Sequence, residues 1–555
     1  MGVLFYNMAK NRLLNIFDDL TDYNLEKFKS DLNAGLVTGI IAVPLSLALA
    51  IATGVPPIIG LYTAVSAGIL ASVFAGSRFS VSGPAAAMVP VLAAIITEYG
   101  IDSLPLIGIL AGIFLALFGL LRLGNFIKYV PLSVTLGFTA GIAVTLFFGQ
   151  LNSFMGLSGI TPHETFLEKT IETFEKLPSI SWATLIIGLI GLLIQILLPK
   201  VKVLSKIPAS FVAVVVGSLL VTFIPFFGNV KTIQDIYGQL QPSFNIPYIY
   251  IPGWRGFTEL VVPALKIAFL ISIESLLCAV VADKMTKTRH NSNKELIAQG
   301  IANIFTPMFG GIPSTAVIAR TGTSIKNGAK TRVAAFIHAI IVLLFLIVLA
   351  FLPALGGAIP LAVLSSILFI TAWKISEQKE IRELINKAPK SDIGILFLTF
   401  FLTIFMDLTI AVGVGMFIAV IFIFSRLSTL YGENVTADRK FIDQGLRDLL
   451  ANNEHIQFIN VEGNLSMGSA GDIKDRIKVS SNTQKVILRM RGIHHIDLSG
   501  LEALKDFIED LKAEGKEVYL TSLNNRFSYK LDRFGILDKV DGVYESTNAI
   551  VLSLK

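Results

Sequence analysis

One cysteine, three tryptophans and six histidines among 555 residues set the first limits. A lone Cys278 leaves no partner for a disulfide within the chain and no thiolate cage for a metal, so neither staples the fold and no metal is expected. Charged residues are only 15% of the chain, against about a quarter in a soluble globular protein, whereas hydrophobic residues reach 53%. No Gly-x-x-x-x-Gly-Lys-Ser/Thr loop occurs, which argues against a nucleotide-driven pump. The net charge of +6 sits on an apolar chain, so it reads as basic loops beside a membrane and not as a nucleic-acid surface.

What is abundant is apolar sequence long enough to cross a bilayer, about twenty residues at a time. Stretches near 33–53, 56–76, 80–98, 103–121, 130–150, 180–198, 208–227, 258–282, 295–309, 314–327, 331–353, 359–374, 392–407 and 409–429 give about fourteen spans. Their loops alternate. One set carries Arg78, Arg122, Lys200, Lys284, Lys287, Arg289, Lys326, Lys330, Arg332, Lys379 and Arg382; the other is neutral or holds Glu98, Asp102, Glu168, Glu172 and Glu175. The positive-inside rule places the basic set, and with an even count both termini, in the cytosol. The first thirty residues mix acids and bases without a long apolar run, so no cleaved signal peptide is expected. After about Ser425 the composition turns polar. The expected domains are a cytosolic segment at 1–32, a transmembrane domain at 33–430 and a soluble domain at 438–555.

Two spans differ from the rest. The third opens with Arg78-Phe79-Ser80-Val81-Ser82-Gly83-Pro84-Ala85-Ala86-Ala87, and the tenth with Gly310-Gly311-Ile312-Pro313-Ser314-Thr315-Ala316. Both suit extended chain before they suit helix. Gly, Pro and small residues also serve plain helix packing in membranes. Each segment, however, is third in a set of seven, and an odd repeat inverts its second copy, so the two breaks meet near the midplane as in secondary transporters. Helix starts there favour an anion. Pro84 suits a first helical turn, and Arg320 adds a full charge at membrane depth, where ionisable groups mark ion or substrate pathways.

Glu274 in the eighth span also lies within the apolar region. Burial raises a carboxyl's pKa and a nearby cation lowers it, so a glutamate approaching Arg320 exchanges its proton according to anion occupancy. The alternative is a permanent Glu274–Arg320 ion pair that only holds two elements together. His338 reads as a packed or hydrogen-bonded core histidine, and Asp407 as an exposed residue of an outer turn.

With these residues laid out, the chain resembles the sulfate permease family of anion transporters from end to end. The resemblance rests on Val55-Pro56-Pro57-Ile58-Ile59-Gly60-Leu61-Tyr62, Ser82-Gly83-Pro84, Ala279-Val280-Val281-Ala282-Asp283-Lys284-Met285, His290 to Leu296 with Gln299-Gly300-Ile301-Ala302-Asn303, and Arg320 with Gly328-Ala329-Lys330-Thr331. It implies a polytopic α-helical membrane protein built as a 7+7 inverted repeat of core and gate domains, a homodimer in the cytoplasmic membrane, and an elevator-like movement of the core. It also implies a substrate pocket between the third and tenth segments, with Leu45, Leu49, Ala85, Ala86, Val317, Ala319 and Arg320 around the anion and Glu274 as the proton site. No cofactor is implied beyond a coupling proton. Sulfate is the first expectation, but Pro44-Leu45-Ser46-Leu47-Ala48-Leu49 replaces the Pro-Gln-Ser-x-Ala-Tyr of familiar sulfate carriers, and hydroxyls are missing near Val317 and Ala319. Bicarbonate or a dicarboxylate gains by that departure, with sodium coupling or anion exchange as alternatives to proton symport. A protein that senses anion without transporting it is the reading from a different class.

The polar tail reads as strands at His455–Val461, Lys485–Met490 and Val518–Leu520, with helices near 499–513 and 524–534. Asp497-Leu498-Ser499-Gly500-Leu501 resembles the loop of a STAS domain, an α/β fold in which the serine is a regulatory phosphorylation site. Asp497 or Ser499 equally suits a helix cap.

Overall fold

The computed structural model describes residues 19, 23–124, 131–161, 163, 165–201, 207–242, 253–406, 414, 417–418, 430–434, 444–465 and 477–554. They fall into two compact units, Met1–Met416 and Phe417–Lys555.

The first unit is helical. Its spans are α1 (Leu25–Thr53), α2 (Pro57–Phe74), α3 (Met88–Tyr99), α4 (Leu104–Leu120) and α5 (Leu132–Met155). After a short surface helix, α6 (Phe166–Glu175), come α7 (Trp182–Leu197), α8 (Ala209–Phe223), α9 (Trp254–Thr286) and α10 (Ser292–Phe305). Then follow α11 (Ile318–Lys326), α12 (Val333–Phe351), α13 (Leu361–Ile375), the amphipathic α14 (Gln378–Lys387) and α15 (Lys390–Phe405). Among the described residues, seven helices are long and apolar enough to cross a membrane by length and composition alone. Thirteen of the fourteen apolar stretches coincide with these elements; of the fourteenth, 409–429, only 414 and 417–418 are described, and Asp407 lies outside the described residues.

Two apolar clusters organise this unit. One joins α1, α2, α5, α7, α8, α12 and α13, and the other joins α3, α4, α9 and α10. Small residues set the closest approaches, as expected where lipid offers no hydrophobic advantage and packing decides. An ideal Cβ at Gly112 of α4 would stand 2.6 Å from the Gly300 carbonyl oxygen of α10, and one at Gly35 of α1 would stand 2.6 Å from Ile337 of α12. Asp31, fully buried in α1, accepts from the backbone N–H of Lys330 and Thr331 and from the Thr331 hydroxyl, fastening the loop before α12. Burial and the Asp31 carboxylate together raise the pKa of Tyr23 above the ordinary phenol value.

The expected breaks are present. The third span holds a two-residue strand, β1 (Ser82–Gly83), ahead of α3, and the tenth holds β2 (Thr315–Ala316) ahead of α11. The two strands pair antiparallel, Ser82 with Ala316 and Gly83 with Thr315. Pro84 departs from expectation: it precedes α3 and does not sit in its first turn. Chain continuing extended through Gly83 carries Pro84 past the strand, and Ala85 to Ala87 then wind a tight turn through Met88 N–H to Ala85 and Val89 N–H to Ala86 bonds. Pro90 occupies the first turn instead, where no N–H is needed.

In the second unit, five strands stand in the order β3 (Leu430–Asn434), β4 (Ile456–Leu465), β5 (Lys485–Ile496), β6 (Glu517–Thr521) and β7 (Gly542–Tyr544), all neighbours parallel except β3 with β4. Three or more consecutive buried residues in each of β4, β5 and β6 fit strands covered on both faces. One face packs against α17 (Leu498–Ala513) and α18 (Asn525–Arg533), the other against α16 (Gln444–Asn452) and α19 (Thr547–Leu554). Asp497 caps α17 by accepting from the Gly500 N–H at 2.9 Å. Ser499, half-buried in the first turn of α17, is not the capping residue.

Candidate functional site

The crossing of β1 and β2 brings two helix starts together inside the first unit. Neither start has a side-chain cap: Ala87 precedes α3, and Val317, in extended conformation, precedes α11. The first N–H groups of an α-helix have no partner within the helix, and at α11 they are left open; at α3 the N–H groups of Met88 and Val89 are taken by Ala85 and Ala86 and Pro90 has none, so α11 supplies the donors while both helices bring a positive dipole end to this crossing.

Arg320 in the first turn of α11 is the largest side chain that is almost fully buried, at 1% exposure. Its Nη2 donates to the Ser46 hydroxyl of α1 and to the Pro84 carbonyl, both at 3.2 Å. The guanidinium therefore reaches from the tenth segment across to the first and third. Gly83 makes the room: a Cβ there would collide with Nη1 of Arg320 and stand 3.5 Å from the Ala64 Cα of α2. Nε and Nη1 are buried with no hydrogen-bond partner among the described residues. A buried donor without an acceptor is costly, and a full cation more so.

A lattice of polar side chains fixes the crossing. Glu295, Gln299 and Asn303 lie at successive turns of α10. Glu295 accepts from the Ser77 N–H, Gln299 donates to the Ser82 hydroxyl at 2.8 Å, and Asn303 bonds both the N–H and the carbonyl of Ser314. From α9, the Ser275 hydroxyl pairs with that of Thr315 at 2.8 Å and the Cys278 thiol donates to the Thr321 hydroxyl, which itself accepts from the Val81 N–H. From α2, the Thr63 hydroxyl accepts from the Ile312 N–H. All of these bonds except that between Cys278 and Thr321, which joins two helices, hold chain that is neither helix nor a full sheet, where backbone groups need partners most.

The structure gathers some of the sequence-predicted residues and separates others. Leu45, Leu49 and Ala86 meet in one apolar cluster, while Ala85 and the half-buried Val317 pack in the other. Ala319 is exposed in the first turn of α11. Glu274 is half-buried in α9. Among the described residues it makes no ion pair with Arg320, so the permanent pair considered as an alternative is not formed. His338 is fully buried against Gly68 and neither ring nitrogen makes a well-formed hydrogen bond. Sequence reasoning missed Ser46, Gln299, Asn303 and Thr321. A legible signal existed for two of them: Glu295, Gln299 and Asn303 recur every fourth residue along an apolar span, one polar stripe with no evident partner.

Comparison with known proteins bears on the family and the fold. Residues 28–399 match the model of the sulfate permease family, and residues 450–550 match the STAS domain. The chain is 37% identical over 526 residues to a putative sulfate transporter, YvdB, of Bacillus subtilis, covering 93% of this chain and 96% of that one. It is 27% identical over 547 residues to the bicarbonate transporter BicA of a Picosynechococcus species, covering 93% and 92%. The fold matches the murine Solute Carrier 26 family member A9 anion transporter in its inward-facing state, with a TM-score of 0.81 over 98% of this chain and 94% of that one at 18% identity. A helical membrane unit with two strand-led segments crossing at a buried arginine, joined to a five-stranded α/β unit, thus belongs to the sulfate permease family and carries a C-terminal STAS domain.

Proposed function

We propose that this protein moves a small oxyanion across the membrane as a secondary-active transporter, with the anion seated between the starts of α3 and α11 beside Arg320. One observation carries the reading: Nε and Nη1 of a buried guanidinium have no partner where two uncapped helix starts converge. Leu45, Leu49, Ala85, Ala86, Val317 and Ala319 form the walls, and their lack of hydroxyls leaves backbone N–H groups and Arg320 as the donors.

Glu274 is the proton-coupling group in this reading. It lies half-buried in a span without a fixed partner among the described residues, which leaves its carboxyl free to bind and release a proton as the site fills and empties. Uptake follows from an elevator-like displacement of the α3, α4, α9 and α10 group relative to the α5, α7 and α13 group. The basic loops and both termini face the cytosol in the cytoplasmic membrane, the transmembrane domain spans 33–430, and the STAS domain at 438–555 supports a homodimer, with Ser499 as its regulatory position.

Among oxyanions, one with planar carboxylate-like groups, such as bicarbonate or a dicarboxylate, fits the donors better than sulfate. Sulfate must surrender a full hydration shell to protein donors, and the wall offers no hydroxyl besides Ser46. One relative is named a bicarbonate transporter, although another is named a putative sulfate transporter. The test is uptake of labelled bicarbonate, sulfate and succinate into proteoliposomes, with pH and sodium gradients imposed separately. Proton-driven uptake of bicarbonate or succinate that is lost in Arg320→Ala and becomes indifferent to the pH gradient in Glu274→Gln supports the proposal. Uptake insensitive to pH in wild type and Glu274→Gln alike counts against coupling, and unchanged uptake in Arg320→Ala removes the site.

A further inference from the structure

Between α5 and α7 the chain forms α6, Phe166–Glu175, opened by a capping box in which Thr165 and Glu168 satisfy each other's backbone N–H groups. Ten residues extend only about 15 Å, half of what a bilayer's hydrocarbon core requires. The helix nevertheless exposes Leu167, Ile171 and Phe174, each more than half accessible.

Successive residues advance about 100° around a helix, which resolves α6 into three faces. Phe166, Thr170 and Thr173 form the packed face: the Phe166 ring lies 5.5 Å from that of Phe148 in α5 and 6.1 Å from that of Phe405 at the end of α15, and the Thr173 hydroxyl donates to Asn152. Leu167, Ile171 and Phe174 cluster about a quarter-turn away, and Glu168, Lys169, Glu172 and Glu175 take the remainder. A helix held sideways by protein, with one flank apolar and the next charged, has the three faces of an interfacial helix.

We propose that α6 lies flat in the membrane interface, with Leu167, Ile171 and Phe174 sunk among lipid acyl chains, anchoring the α5, α7 and α15 group to one bilayer surface. Phe405 at the end of α15, which the Phe166 ring touches, is itself exposed, as is Trp182 at the start of α7, and aromatic residues concentrate at the interface depth. A second copy of this chain is a poorer occupant, because three side chains supply far less than the roughly 1,200 Å² of a stable interface. The charged flank is engaged on its water side. Glu172 accepts from the Thr161 N–H and hydroxyl, and the Thr161 N–H foremost holds its pKa below the ordinary glutamate value.

The test is spin labelling in the full-length protein, reconstituted in vesicles of phosphatidylethanolamine and phosphatidylglycerol. Buried Cys278 is replaced by alanine, and single cysteines are placed at Leu167, Ile171 and Phe174 and, as the charged flank, at Glu168 and Glu175. The expected result is high collision with oxygen and low collision with a water-soluble nickel chelate along the stripe, and the reverse along the charged flank. Equal nickel access on both flanks overturns the proposal. So does a stripe shielded from both reagents with label-to-label broadening, which would assign the face to a second copy. Three stripe positions are read independently, so one badly folded variant does not leave the question open.

Discussion

The third and tenth segments have the same backbone plan and opposite chemistry. Each runs extended for two paired residues and then starts an uncapped helix. From Ser82 to Ala87 the third carries no ionisable side chain, whereas the tenth carries Arg320 in the first turn of its helix. The asymmetry is complementary. The third segment is small where the tenth is large: Gly83 yields the space that Nη1 fills, and the Pro84 carbonyl receives Nη2. A crossing of two dipole ends tolerates one guanidinium only if the facing strand gives up its side chains, so the glycine and the arginine form one design distributed over two remote stretches.

The strongest way to break this comparison is to remove the charge. Arg320→Ala leaves two dipole ends and no cation; oxyanion affinity should fall at least about 100-fold, about 3 kcal/mol, the scale of lost charge-assisted hydrogen bonds. Thermal-shift titration of detergent-solubilised protein measures it, and an unchanged midpoint would refute the assignment of the site to Arg320. Next comes Gly83→Ala, which restores a side chain to the third segment. The added Cβ displaces the guanidinium, with a stability loss of about 1–3 kcal/mol and weaker binding. In an Arg320→Ala background the same substitution should cost much less, because the two sites share one volume and are not additive. Equal costs in both backgrounds would separate the glycine from the arginine.

The difference in legibility between these two segments has a physical cause. Strand-breaking and strand-favouring residues are local, so both breaks, the order of the helices and the α/β tail were readable from composition and periodicity. Arg320 was readable because a charge at membrane depth is rare. Its partners were not, since Ser46 and Pro84 stand 274 and 236 positions away and no periodicity encodes a contact across that distance. Pro84 was misplaced for a related reason: a proline suits both an extended strand end and a first helical turn, and only the pairing of β1 with β2 decides between them. Glu274 was legible as an anomaly, but its half-buried, unpaired state depends on how α9 packs.

A smaller effect sharpens the picture from the side of α1. Ser46→Ala removes one acceptor of Nη2 while keeping the Pro84 carbonyl, so the guanidinium stays in place with one bond fewer. The expected loss is about 1 kcal/mol, a roughly fivefold weaker affinity. Isothermal titration with the transported anion reads it. A loss as large as that of Arg320→Ala would make Ser46 a direct ligand and not a positioning residue.

Val317→Ser asks whether backbone or side chain defines the tenth segment. Val317 holds the N-cap place of α11 in extended conformation, φ −109° and ψ 116°, without any side-chain bond to the helix. A serine there can turn its oxygen to the N–H of the second or third residue of α11, stabilising the helix by about 1 kcal/mol. That is the same donor set assigned to the anion, so stability should rise while affinity falls a few-fold. The two readouts, melting temperature without anion and anion affinity, then move in opposite directions, which a merely structural change at Val317 does not produce. If affinity rises instead, most for sulfate, the new hydroxyl is serving the ligand and the missing side-chain donors, not the helix start, set which oxyanion is bound.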